Sequence, residues 1–201
     1  MAGGKQMARS SGEVAAMFRR RMVELGLNVE DVEDRAQVGT DTDHLVQSAD
    51  DFEFYRGRDL WIIKRVVDAL ELNLLDVLGL ECVFCAKDLE PWRELASLPR
   101  NEIIRSRREE LGLSRDDLFA KLGWTQWYAE HSRADARDPE WAERVMAEHK
   151  AIEDNPDFIE QITIDGVMNV AEVLEVPPQL LLGVRCARCG QEEGPSRSLG
   201  D

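Results

Sequence analysis

The four cysteines of the chain lie in two Cys-x-x-Cys pairs, Cys82 with Cys85 and Cys186 with Cys189. A Cys-x-x-Cys turn places two thiolates at two corners of a tetrahedron, so two such knuckles complete a four-thiolate zinc site. Four sulfur ligands leave no open position for water, so zinc held in this way stabilises a fold and does not catalyse. We predict one structural zinc ion held by all four cysteines. The alternatives are a metal ion or disulfide shared between chains, and reactive or merely buried thiols.

The two knuckles close two copies of an internal repeat. Residues 78–85 and 182–189 share the frame Leu-Gly-apolar-charged-Cys-x-x-Cys, 104 positions apart. Residues 19–28 and 105–114 also correspond, but they are 86 positions apart. The second copy therefore carries 18 extra residues, which we place between Asp138 and Pro156. A pseudo-twofold arrangement of the copies would bring the knuckles face to face, so that one ion fastens the two halves.

Both copies have the pattern of a series of short helices. Apolar residues recur at helical spacing from Val14 to Leu25, and Gly26 ends that helix. Asn28 and Ser114 lie where the next helix needs a cap, and each precedes an acidic first turn. The other predicted helical segments are residues 41–48 and 125–132 (the third helices), 60–78 and 158–182 (the closing segments) and 139–149 (an added helix). Strand signals are scarce, so the sequence predicts an all-α fold.

The repeat and the linkers predict the domain boundaries. Proline at positions 91 and 99 marks a linker between the copies, and the polar end of the chain is expected to be a mobile tail. The predicted units are residues 12–81 (first helical domain), 82–99 (first knuckle and linker), 100–185 (second, enlarged helical domain) and 186–201 (second knuckle and tail).

A basic helix followed by Leu-Gly-Leu-Ser-Arg-Asp-Asp-Leu-Phe-Ala-Lys-Leu-Gly at residues 111–123 resembles the phage-repressor-like helix-turn-helix family of the Cro and Xre type. The resemblance covers most of both copies, including the closing pattern at residues 69–78. It implies two tandem lambda-repressor-like helix-turn-helix domains. It also implies a transcriptional regulator whose third helices enter the major groove of double-stranded DNA.

The same resemblance assigns candidate DNA contacts. In that family the third helix lies nearest the base edges, and nearby helix ends grip phosphates. The phosphate contacts implied are Arg19, Arg20, Arg21, Arg105, Arg107, Arg108 and Arg115. The residues implied nearest base edges are Thr40, Thr42, Thr125 and Gln126.

The charge of the chain favours a second interpretation. Lys and Arg number 25 against 40 Asp and Glu, a formal charge of −15, which excludes a uniformly basic body that coats nucleic acid. The alternative is an acidic module derived from the helix-turn-helix scaffold, which holds a basic protein partner and not DNA. Its candidate contact residues are Trp124, Trp127, Tyr128, Asp41 and Asp43.

Catalytic and membrane-spanning signals are missing from the sequence. His44, His131 and His149 are scattered, and there is no phosphate-binding glycine-rich loop and no nucleophile elbow. No apolar run approaches the roughly 20 residues of a membrane helix, and the first residues lack an apolar targeting segment. We therefore expect a soluble cytoplasmic protein that is not an enzyme.

Overall fold

The computed structural model describes residues 9–38, 58–124, 126, 144, 146–147 and 149–190. Within these residues the chain is helical and forms no β-strand; its extended pairing is a single isolated bridge between Asp59 and Thr163. The all-α prediction is confirmed for this part of the protein.

Each copy contributes four α-helices to the described part. Those of the first copy are α1 (Ser11–Leu25), α2 (Val29–Ala36), α3 (Leu60–Ala69) and α4 (Leu74–Leu78). Those of the second copy are α5 (Arg100–Glu110), α6 (Arg115–Lys121), α7 (Ile164–Val173) and α8 (Gln179–Leu182). Short 3₁₀ helices occupy Lys87–Trp92 and Leu95–Ser97 in the predicted linker, and Phe158–Gln161 before α7.

The predicted caps of α2 and α6 are present. The side chain of Asn28 accepts a hydrogen bond from the backbone N–H of Asp31, whose carboxylate accepts one in return from the N–H of Asn28. Ser114 and Asp117 form the same reciprocal pair at the start of α6. Such a capping box satisfies two backbone donors that the helix cannot pair itself. The same local chemistry therefore starts the second helix of both copies.

Left-handed backbone conformations recur at equivalent positions of the two copies, including positions that are not glycine. Glu71 and Glu175, which are 104 positions apart, both adopt left-handed conformations after α3 and α7, with φ of 52° and 55°. Gln37 and Gly123, 86 positions apart, do the same after α2 and α6, with φ of 54° and 74°. A non-glycine residue in this region costs about 1–2 kcal/mol, so its recurrence at equivalent positions reflects a shared helix ending.

The two copies share one hydrophobic core. Phe18 and Ile63 of the first copy and Ile103 and Leu180 of the second belong to the same cluster of fully buried side chains. An ion pair also crosses between the copies, with the Nζ of Lys64 2.6 Å from Oε1 of Glu160. The halves therefore contact each other outside the cysteine cluster as well.

Reciprocal hydrogen bonds join the copies at the starts of α3 and α7. The N–H of Leu60 donates to the carbonyl of Ile162 at 2.9 Å, and the N–H of Ile164 donates to the carbonyl of Arg58 at 3.3 Å. Each residue of the bridge, Asp59 and Thr163, is thus paired with its own equivalent 104 positions away. A twofold relation generates this self-complementary pattern, in which i contacts j and j contacts i.

Candidate metal centre

The four cysteine sulfurs converge on one point. The Sγ atoms of Cys82, Cys85, Cys186 and Cys189 all lie within 4.8 Å of one another. The sulfurs of the pairs Cys82–Cys189 and Cys85–Cys186 are 3.7 and 3.8 Å apart, and none of the four cysteines forms a disulfide. At zinc–sulfur bonds of about 2.3 Å, a regular tetrahedron has sulfur–sulfur edges of about 3.8 Å. The cluster therefore has the size and the donor set of a four-thiolate metal site.

Each knuckle is a tight turn closed by backbone hydrogen bonds. The N–H of Ala86 donates to the carbonyl of Cys82 at 2.9 Å, and the N–H of Gly190 donates to that of Cys186, also at 2.9 Å. In the second knuckle the N–H of Arg188 also points to the Sγ of Cys186 at 3.4 Å. Gly190 has a φ of 70°, which glycine adopts without strain. The two turns therefore share the closing hydrogen bond, although Ala86, the counterpart of Gly190 in the repeat, has a φ of −85°.

The environment of Cys186 favours a thiolate. Burial alone opposes ionisation, but hydrogen bonds from the N–H groups of Cys189 and Arg188 and from the thiols of Cys82 and Cys189 lower the pKa of Cys186 to about 7. Contact with the Cys189 thiol, together with burial and the neighbouring Cys186, raises the pKa of Cys85. Cys186 therefore ionises readily near neutral pH. A bound cation would draw the proton from Cys85, because metal binding and thiol deprotonation are linked.

Two of the arginines implied as phosphate contacts are hydrogen bonded to helix ends. The Nε of Arg21 donates to the carbonyl of Leu70 at 3.0 Å, and the Nε of Arg107 donates to that of Leu174 at 3.3 Å. Both arginines also pair with a glutamate three residues later in their own helix. Arg21 caps the last turn of α3 and Arg107 caps the last turn of α7, because a cation is favourable at the C-terminal end of a helix.

Three further arginines surround the carboxylate of Glu153, which is 0% exposed. Arg108 contacts both carboxylate oxygens, with Nη2 2.9 Å from Oε2. The Nε atoms of Arg115 and Arg105 lie 3.5 and 3.8 Å from that Oε2. Arg115 also forms a two-pronged pair with Asp154, at 2.7 and 2.9 Å. Each of these three arginines thus pairs with a carboxylate of the protein itself.

The other residues implied for DNA contact are exposed or lie outside the described part. Arg19 and Arg20 are on the exposed side of α1, and the Nε of Arg20 lies 3.8 Å from Glu24. Gln126 is exposed and helical. The predicted contact residues that lie outside the described residues are Thr40, Asp41, Thr42, Asp43, Thr125, Trp127 and Tyr128.

Trp124, a predicted partner contact, is half-buried in an aromatic cluster. Its ring centroid lies 5.6 Å from that of Phe119, 4.9 Å from that of His149 and 5.9 Å from that of Phe158. The first two contacts are edge-on, the arrangement that the charge distribution of aromatic rings favours. Much of the Trp124 ring therefore packs within the second copy.

Sequence reasoning missed Glu153 and two amides beside the knuckles, those of Asn73 and Gln179. For Glu153 a signal was present: Arg108 and Arg115 stand where the first copy has Met22 and Val29. Additional arginines inside the enlarged copy require additional carboxylates nearby, and the inserted segment contains Glu153 and Asp154. No sequence pattern marked the amides, because their acceptors are backbone carbonyls about 100 positions away.

In the described part of the chain, no helix has the length and apolar character needed to cross a membrane. Comparison of the sequence and the structure with protein families, curated proteins and solved structures found no match.

Proposed function

We propose that this protein is a zinc-clasped, non-catalytic interaction module built from two helix-turn-helix-like copies, and that it binds a basic protein partner. The observation that carries the proposal is the cysteine cluster, to which each copy contributes two sulfurs within 4.8 Å of the others. An ion bound there joins the ends of both copies at once. The helical surface presented to a partner then depends on the metal.

Zinc is the metal that this donor set favours. Four thiolates are soft ligands, and a tetrahedral all-sulfur site selects zinc over magnesium, calcium or manganese, which prefer oxygen. A closed set of four sulfurs supplies stability and no reactive water. The role proposed for the ion is therefore to hold the copies in their twofold relation.

A protein partner is favoured over DNA by the use of the arginines within the fold. Arg105, Arg108 and Arg115 compensate the buried Glu153, so phosphates would have to compete with an internal carboxylate. In the first copy, α2 carries Glu30 and Asp34 on its exposed side. With a formal charge of −15, the chain attracts cationic partners and repels the DNA backbone.

DNA binding is the second candidate function, and the twofold relation of the copies favours it. The α1–α2 and α5–α6 pairs occupy equivalent places in the repeat, and the reciprocal bonds around Asp59 and Thr163 join the copies symmetrically. Dimeric regulators of the family that the sequence resembles use such symmetry to address two half-sites. Arg19 and Arg20, on the exposed side of α1, are then the first phosphate contacts to test.

Zinc stoichiometry of the purified full chain tests the clasp. We expect one zinc ion per chain, lost in Cys82→Ser and lost equally in Cys186→Ser, because the site draws on both knuckles. If Cys82→Ser keeps full stoichiometry and unchanged affinity, the four cysteines do not share one ion.

A salt titration separates the two functions. The probes are a lysine-rich peptide and a mixed-sequence DNA duplex. A protein-binding module binds the peptide and binds duplex with a dissociation constant weaker than about 10⁻⁴ M, below ordinary non-specific affinity. A regulator binds duplex with a log–log salt slope of about −0.9 per phosphate neutralised. Measured duplex binding with that slope would overturn the protein-partner proposal.

A matched pair of variants tests the α2 surface. Glu30→Gln with Asp34→Asn removes two charges from α2, and Asp88→Asn with Glu90→Gln removes two exposed charges from the linker. We expect the α2 variant to lose peptide affinity and the linker variant to retain it. Equal losses would mean that only the overall charge matters and that α2 is no contact surface.

A further inference from the structure

Two side-chain amides reach across between the copies to the residues that precede the knuckles. The Nδ2 of Asn73 donates to the carbonyl of Arg185 at 2.8 Å, and the Nε2 of Gln179 donates to the carbonyl of Glu81 at 2.9 Å. Glu81 and Arg185 are equivalent in the repeat, and each directly precedes the first cysteine of its knuckle. The residue before each knuckle is thus hydrogen bonded to the start of the last helix of the other copy, α4 or α8.

We propose that Asn73 and Gln179 are positioning residues for the metal centre, holding the two knuckles at the separation that a single ion requires. The inference rests on the proposed zinc clasp and deepens it. Neither residue supplies a ligand atom. Each acts through the backbone of the opposite knuckle.

The hydrogen bonds within a knuckle do not set the distance between the two knuckles. The bond from the N–H of Ala86 to the carbonyl of Cys82 shapes one turn and fixes the two sulfurs of that turn. The distance from Cys82 to Cys189 depends instead on how the two turns are placed relative to each other. The amide bonds of Asn73 and Gln179 span the copies at the base of each turn, so they constrain that placement.

Burial makes loss of the Gln179 hydrogen bond energetically costly. Gln179 is 0% exposed, and a buried amide that loses its hydrogen bond is strongly unfavourable. Its side chain therefore stays on the carbonyl of Glu81 whenever the copies are docked. Groups outside the ligand set that orient ligands in this way typically contribute about 10–100-fold to metal affinity.

Asn73→Asp separates this role from the capping role of the same residue. The Oδ1 of Asn73 caps α4 by accepting from the N–H of Leu75 at 3.0 Å. Aspartate keeps that acceptor but replaces the amide donor by an oxygen facing the carbonyl of Arg185. The added negative charge would attract zinc but would also oppose deprotonation of the thiols, so the cobalt bands of the loaded protein are measured beside the zinc affinity. Asn28→Asp is the matched control, because it makes the same change at the cap of α2.

The experiment measures the zinc affinity of the full chain by competition with a chromophoric chelator, together with the visible absorption of the cobalt-substituted protein. We expect Asn73→Asp and Gln179→Met to weaken zinc binding about 10–100-fold and to alter the cobalt bands. Asn28→Asp is expected to match the wild type in both. A variant that merely loosens the fold would not change the cobalt spectrum of the fully loaded protein.

The outcomes are distinguishable. If the wild type binds zinc and Asn73→Asp binds it equally tightly with unchanged cobalt bands, the positioning role is wrong while the clasp stands. If the wild type binds no zinc, the clasp is wrong and this role is wrong with it. Should Gln179→Met fail to fold, Asn73→Asp decides alone, because its side chain is only half-buried and its cap is retained.

Discussion

The Nε of Arg107 donates a hydrogen bond to the carbonyl oxygen of Leu174, 67 positions further along the chain, at 3.3 Å. Leu174 is the C-terminal cap residue of α7, so its carbonyl has no partner within the helix. Arg21 and Leu70 form the equivalent bond in the first copy. The guanidinium of Arg107 also lies over the ring of Trp92, 5.3 Å from its centre. An arginine that the resemblance implies for DNA thus joins two helices of the same copy.

Arg107→Lys is expected to lower the free energy of unfolding by about 1–3 kcal/mol. Lysine retains the charge but lacks the planar Nε–H donor, and the buried carbonyl of Leu174 is left unpaired. Urea unfolding at saturating zinc measures the loss, with the exposed Arg20→Lys as control. If both lysine variants are as stable as the wild type, the bond to Leu174 contributes nothing to folding.

Glu153→Gln is expected to cost about 3–5 kcal/mol of stability, because it leaves three arginines around a buried site without their carboxylate. The control is Glu109→Gln, which removes an exposed carboxylate that pairs with the same Arg108 at 3.3 Å. Exposed pairs are worth at most about 1 kcal/mol. Urea unfolding of both variants gives the comparison. Equal small losses would show that Glu153 does not hold the insertion in place.

Asp154→Asn is expected to change how stability depends on pH. Hydrogen bonds from Arg115, aided by the charges of Arg115 and Arg105, hold the pKa of Asp154 below its ordinary value of 3.8. A carboxyl whose pKa is lower in the folded state stabilises the protein above its ordinary pKa, and this contribution disappears as the pH falls through the folded value. The wild type should therefore be more stable than Asp154→Asn at pH 6, and the difference should shrink below pH 3.8. A difference that is constant across this range would contradict the ion pair as its source.

Metal removal is expected to lower the thermal midpoint of the wild type and leave that of Cys82→Ser nearly unchanged. Zinc at a free concentration a thousandfold above its dissociation constant stabilises the folded state by about 4 kcal/mol, and a chelator removes that contribution. Differential scanning calorimetry with and without the chelator measures both midpoints. A wild type that is indifferent to the chelator would exclude a structural ion.

The internal repeat, the paired knuckles and the caps were predictable from the sequence because each depends on residues that are close along the chain. Asn28 and Asp31 form their capping box within three residues, and so do Ser114 and Asp117. The separation of 104 positions, at which the knuckles recur, also relates the two residues of the bridge between α3 and α7. Matching segments have matching local structure, so the pattern alone indicated where the cysteines would lie in each copy.

Only the tertiary structure decided what the charged and amide side chains contact. The partners of Arg108 and Gln179 lie 45 and 98 positions away in the chain. A long polar side chain can pair with whichever group the packed core brings within about 3 Å, and local sequence does not specify that group. For this reason the resemblance could imply phosphate contacts at Arg105, Arg108 and Arg115, but only the packed structure shows that Glu153 lies among them.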